Sequence, residues 1–182
     1  LVGQRHGSRS DFGADGFAFV IQNSAQQTAA LGSQGGALGY AGNPVFPNLT
    51  GIANALAVEF DMWNNQGDWD DFNSGQHISV QCRGVLPNSP AAGDSMGVAL
   101  NLPDLSDGEI HRGRIEYLNG ALNVYVDLNR VLSVNVDLAT ELSLHNGTSA
   151  FVGMTASTGA SINIERHELL SWDFNVIPNP AA

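Results

Sequence analysis

The sequence predicts an all-β fold, an antiparallel sandwich. Period-two apolar patterns run from end to end, turn signals separate them at short intervals, and no stretch sustains helical spacing. The chain has 182 residues, a length that fits one domain and can bury a substantial core.

The first clear strand follows the turn signal Asp11-Phe12-Gly13-Ala14-Asp15-Gly16, where Phe17, Phe19 and Ile21 alternate with Ala18, Val20 and Gln22. Leu56, Val58 and Phe60 then alternate with Ala57, Glu59 and Asp61, and Ile78, Val80 and Cys82 with His77, Ser79 and Gln81. Later strands are expected at 110–118, 122–128, 131–136, 150–156 and 162–174, the last interrupted. Asn119-Gly120 is a tight hairpin signal and Asn146-Gly147 a second turn. Residues 138–144 allow one short helical turn at most. Residues 1–12 fit no strand pattern and read as an irregular or truncated N-terminal segment. The domain proper is expected over 13–176, and 177–182, with its two prolines, as the start of a linker.

Only 14% of residues are charged, against roughly 25% in an average soluble domain. Eighteen acidic residues against seven Lys+Arg give a formal charge of −11. Such a surface repels phosphate backbones, which argues against nucleic acid as a partner. The acidity fits either the solubility of an exported protein or carboxylates that hold a divalent cation. A single cysteine, Cys82, excludes an intrachain disulfide, and its place on the apolar face of a strand suits a small core residue. No apolar run approaches the ~20 residues of a membrane-spanning helix.

The segment Glu59-Phe60-Asp61 carries the chemistry. Side chains two apart on a strand share a face, so both carboxylates project together while Val58 and Phe60 point into the core. Two like charges side by side repel unless a proton or a cation intervenes. His77 lies on the polar face of its own strand. Between them runs Met62-Trp63-Asn64-Asn65-Gln66-Gly67-Asp68-Trp69-Asp70-Asp71, a loop dense in oxygen donors. Calcium takes carboxylate, amide and main-chain oxygens, whereas an imidazole with carboxylates suits manganese or a similar ion. Two neighbouring metal sites are therefore expected here; a merely polar loop beside a surface strand is the plain alternative. Trp63 and Trp69 suit either sugar stacking or capping of the sheet edge. His111, His145 and the Asp104–Asp107 cluster read as ordinary turn and surface residues.

Several motifs in order resemble the legume-type (L-type) lectins, in particular their bacterial relatives. They are Ala14-Asp15-Gly16-Phe17-Ala18-Phe19, Gly35-Gly36-Ala37-Leu38-Gly39, Ala57-Val58-Glu59-Phe60-Asp61-Met62-Trp63, His77-Ile78-Ser79-Val80, 153–159 and Leu170-Ser171-Trp172-Asp173-Phe174. The resemblance covers about residues 13–176 and implies a concanavalin-like sandwich (a jelly roll) that binds carbohydrate. It implies Glu59 and His77 as ligands of a transition metal such as Mn2+, with Asp61 bridging to Ca2+. Asn65 and the Trp63 carbonyl would complete the calcium shell. The second bridge is Asp70 or Asp71, with Asp71 favoured and Asp68 as fallback. For the sugar, the resemblance implies Asp15, preceded by a cis peptide, with the Asn65 amide and the Gly36 N–H; Ser161 lies in a loop that sets specificity.

Two features depart from the family pattern. Additional strands normally precede the aspartate motif, so residues 1–12 are either truncated or unusual. An aromatic platform under the sugar is not obvious, with Phe72 and Trp69 as candidates. Two other functions are compatible with such a sandwich. Laminarinase-type hydrolases on this sandwich resemble Glu-x-Asp-x-x-Glu, but here the last position is Asn64, which removes the second catalytic carboxylate. An adhesive module whose metals only brace loops is the other. The expectation is a secreted or cell-surface lectin module, not an enzyme, with glycan as ligand and neighbouring domains or a second copy as further partners.

Overall fold

Ten strands, connected by turns and loops, make up the described part of the chain. The computed structural model describes residues 2–6, 13–46, 48–65, 72, 75–160 and 164–176. In chain order the strands are β1 (Val2–His6), β2 (Asp15–Gln22), β3 (Ala55–Asp61), β4 (His77–Cys82), β5 (Ser95–Ala99), β6 (Gly113–Leu118), β7 (Ala121–Val126), β8 (Asn129–Asn135), β9 (Phe151–Thr158) and β10 (Ile164–Glu168). All pairings are antiparallel. One sheet has the order β5-β4-β3-β2-β9, a second β6-β7-β8, and β1 pairs with β10.

The period-two pattern explains the layers. Phe17 and Ile21 of β2, Leu56, Val58 and Phe60 of β3, and Ile78 and Val80 of β4 form the inner face of the five-stranded sheet. Leu122, Val124 and Val126 of β7 and Val134 of β8 meet them from the three-stranded sheet. The layers come close at Gly97 of β5, where an added Cβ would lie 2.9 Å from Val134 Cγ1. Asn119 and Gly120, with φ of 50° and 78°, join β6 to β7 as the hairpin signal requires. Asn146 and Gly147 also take positive φ. Among the described residues the one α-helical turn spans Leu138–Glu141, capped by the Asp137 side chain.

Over the central strands β2 and β3 the outer face of the five-stranded sheet is not open to solvent. Ala18, Val20, Ala55 and Ala57 pack against Ala37, Leu38, Tyr40, Ala41 and Ile52 of the chain that crosses above them. All seven residues of β3 are consequently buried. A half-solvated antiparallel sheet is the common arrangement; here small alanine side chains let a covering segment approach.

Two expectations need correction, and one strand had not been expected. Val2–His6 is a strand despite its lack of alternation, because its pairing with Ile164–Glu168 depends on main-chain groups. β5, with Ser95 and Gly97, has too weak an apolar pattern to be read in advance. The last expected strand ends at Glu168, and residues 169–176 form none. In that extension Leu170, Trp172, Phe174 and Val176 are exposed. Cys82 is a half-buried free thiol packed against the core.

Candidate functional site

The ends of three adjacent strands bring the chemistry together. In register, Gly16 of β2 faces Asp61 of β3, and Asp61 faces His77 of β4. Glu59 faces Ser79 two pairs further along. Alternation therefore places Glu59, Asp61, His77, Ser79 and Gln81 on the outer face of the sheet, beneath the covering segment that carries Tyr40. The polar face anticipated from the sequence is thus a buried one. Glu59, Asp61 and His77 are 2%, 3% and 1% exposed.

Glu59 lies in a dense set of donors. Tyr40 donates its hydroxyl to Oε2, and Ser79 donates to Oε1. Gln81 Nε2 donates to Oε1 at 3.1 Å, and His77 Nε2 lies 3.3 Å from the same oxygen. Burial alone would raise the Glu59 pKa. His77, Ser79 and Tyr40 outweigh that and leave it below the usual glutamate value. Burial, then the neighbouring charges of Glu59, Asp61 and Asp94, push the Tyr40 hydroxyl well above its usual range, which keeps it a donor. Phe72 packs on the His77 ring, with centroids 4.8 Å apart.

A second cluster lies at the same end of the sheet. The Ala14-Asp15 peptide is cis, as the resemblance implied. Met62 N–H donates to the Asp15 carbonyl at 2.8 Å and Gly159 N–H to the Ala14 carbonyl at 2.7 Å, which fixes this corner to the ends of β3 and β9. Gly16 has φ of +146°, and a Cβ there would lie 2.2 Å from the Phe60 carbonyl oxygen; only glycine fits. The corner presents Asp15, 4% exposed, and burial raises its pKa despite a hydrogen bond from Asn65.

That bond runs from Asn65 Nδ2 to Asp15 Oδ1 at 3.1 Å. Gly36 completes the group: a Cβ on it would lie 2.7 Å from Asn65 Cγ and Oδ1. Ser157 ties the Gly35 carbonyl to β9 with its hydroxyl. Asp15, Gly36 and Asn65, far apart in sequence, therefore converge. Trp63, half-buried, donates its N–H to Asp61 Oδ1 at 2.7 Å, so the loop carrying Asn65 starts from the strand carrying Asp61. Asp68, Trp69, Asp70, Asp71 and Ser161 lie outside the described residues.

The donor set suits a hard cation beside Asn65. Its Oδ1 is buried yet receives no hydrogen bond among the described residues, and an amide oxygen with nearby carboxylates is calcium chemistry. Tyr40, Ser79 and Gln81 were not anticipated as parts of the site. Ser79 and Gln81 alternate with His77 and so had a signal; Tyr40, on the covering segment, had none.

Curated protein sequences include no match to this chain. The family model for the legume lectin domain matches residues 4–182, a span that starts within β1 and runs past both ends of the expected domain. With a sandwich of antiparallel sheets and Asp15, Gly36 and Asn65 gathered at one corner, the chain belongs to the legume lectin domain family, whose members bind carbohydrate.

Proposed function

We propose that this chain is a calcium-dependent glycan-binding module, with Asp15, Asn65 and the Gly36 N–H as its sugar contacts. The observation that carries the reading is the state of Asn65. Its amide hydrogen engages Asp15, its buried oxygen has no donor among the described residues, and Gly36 leaves it no spare room. A side chain placed in this way links a cation to a ligand-binding carboxylate.

Asp61, Asn65 and the Trp63 carbonyl would hold the calcium, with Asp70 or Asp71 supplying a further carboxylate. When bound, the ion would neutralise buried carboxylate charge and fix the loop from Trp63 to Asn65. Asp15 then accepts hydrogen bonds from sugar hydroxyls, and Gly36 donates one from a main chain without a side chain in the way. Ser161 and its neighbours contribute to specificity.

The module acts by binding and not by hydrolysis, since Asn64 stands where the second carboxylate of a retaining enzyme on this sandwich would be needed. We place it in an exported protein, where neighbouring domains or further copies add avidity to a weak single-site interaction. The test is a glycan array with purified chain, read with calcium and after chelation. Calcium-dependent binding that disappears in Asp15→Ala, with the circular dichroism spectrum unchanged, supports the reading. Absence of binding to every glycan with calcium present rejects it.

A further inference from the structure

Legume lectins generally bind a transition metal beside calcium. The described residues fit that second ion poorly, and the misfit lies in Glu59. A carboxylate has about four acceptor positions, two on each oxygen. The oxygen that faces His77 is Oε1, and it already accepts from Ser79 and from Gln81. Oε2 is turned toward Tyr40 and accepts its hydroxyl. A cation held between Oε1 and His77 would have to displace Ser79 or Gln81 inside a region where Glu59 and Gln81 are 2% and 0% exposed. The displaced O–H or N–H would then be buried without its acceptor, which folded proteins avoid.

We propose that this chain has exchanged the transition metal for hydrogen bonds: Tyr40, Ser79 and Gln81 hold the Glu59 carboxylate, and calcium alone orders the sugar site. The proposal rests on the calcium-lectin reading above and narrows it to one ion. Glu59 is then a positioning residue. Through Ser79 and Gln81 it locks β3 to β4, and through Tyr40 it locks the covering segment onto the sheet. That segment also carries Gly36. The work that a second ion would do in rigidifying the strand ends is done by three neutral donors around one carboxylate. Ser79 and Gln81 share a second bond, Gln81 Nε2 to Ser79 Oγ at 2.9 Å, so the donors are themselves cross-linked.

The experiment uses the whole chain, stripped with chelator and then equilibrated with calcium and manganese together. Metal content is read by mass spectrometry and glycan affinity by calorimetry. The expected result is retained calcium, with manganese below about a tenth of an equivalent. Glycan affinity is restored by calcium alone and changes by less than about twofold when manganese is added. A full equivalent of retained manganese, or a gain of about tenfold on adding it, overturns the proposal.

A second arm uses cobalt as a visible probe on Tyr40→Phe/Ser79→Gly. Freed of two donors, Glu59 and His77 should now take the ion, with a visible band absent from the parent and lost again in Tyr40→Phe/Ser79→Gly/His77→Ala. Equal cobalt binding by parent and double variant would mean that the hydrogen bonds exclude nothing. The parent's metal content does not depend on the variants folding. A chain that binds neither calcium nor glycan overturns the lectin reading and this proposal with it. One that binds glycan with two ions overturns this proposal alone.

Discussion

Asn65 donates its amide hydrogen to Asp15 across fifty residues of sequence, at 3.1 Å. The bond links the loop after β3 to the start of β2 and leaves Asn65 Oδ1 buried without a donor among the described residues. Both ends of one side chain are thus committed, one to a carboxylate and the other to the place suited to a cation.

Asn65→Ala should therefore lose calcium and glycan together. Removing a hydrogen bond to a buried charged group costs about 1.5–3 kcal/mol, so glycan affinity should fall by at least about tenfold. Calorimetry with each ligand in turn measures both losses. Unchanged glycan affinity in this variant contradicts the assignment.

Gly36→Ala should abolish binding while leaving the fold. Its new Cβ would lie 2.7 Å from Asn65 Cγ and must displace that side chain, an overpacking effect of about 1–3 kcal/mol. Gly153→Ala is the control, since nothing lies within 4 Å of the added atom. The two variants should differ in glycan titrations and be alike in circular dichroism.

Glu59→Ala should be among the most destabilising single changes in the chain. It leaves Tyr40, Ser79 and Gln81 without their common acceptor and removes the carboxylate beside His77. Loss of one member of a buried charged group costs about 3–5 kcal/mol. Tyr40→Phe removes one donor and should cost about 1 kcal/mol. Urea unfolding midpoints rank the two.

His111 should give the stability a pH dependence. Its ring lies 2.7 Å from Asp127 and 3.2 Å from Asp107. Burial lowers its pKa, but these two carboxylates outweigh that and raise it. The folded value lies above the unfolded one, so the contribution is full below about pH 6.5 and is lost as pH rises through the folded value. Asp127 is shifted down, first by the Arg112 N–H and then by His111. Its contribution is present above about pH 4 and is lost as pH falls through its folded value. Parent and His111→Gln should differ most between these limits, with the gap closing on the alkaline side. Thermal scans from acid to mildly alkaline pH test this.

Much of the sandwich was legible because alternation is local. β2, β3 and β4 each write their inner face as Phe, Leu, Val or Ile at every second residue, and Asn119-Gly120 names its own turn. β1 was not legible because main-chain pairing with β10 leaves no mark on side-chain pattern. Of the site, Glu59, Asp61 and His77 could be placed on one face from alternation alone. The meeting of Asp15, Gly36 and Asn65 could not, since their proximity depends on how three separate connections fold over a sheet end. Only the resemblance to lectins joined them in advance. Tyr40 escaped both routes, because its hydroxyl reaches Glu59 from a segment with no periodicity.

Ala18, Ala55 and Ala57 are all fully buried beneath the covering segment, and their size decides where this protein is free to change. A methyl group sets how closely that segment sits on the sheet, and hence the height at which Gly36 meets Asn65. Enlarging any of the three would lift the segment and open the corner, however intact the contacting residues themselves. The exposed residues Val45, Phe46 and Leu49, on the same segment but away from the sheet, carry no such restriction. Substitutions at these three positions should therefore leave the fit of Gly36 against Asn65 unchanged, whereas enlarging the alanine floor should disturb it.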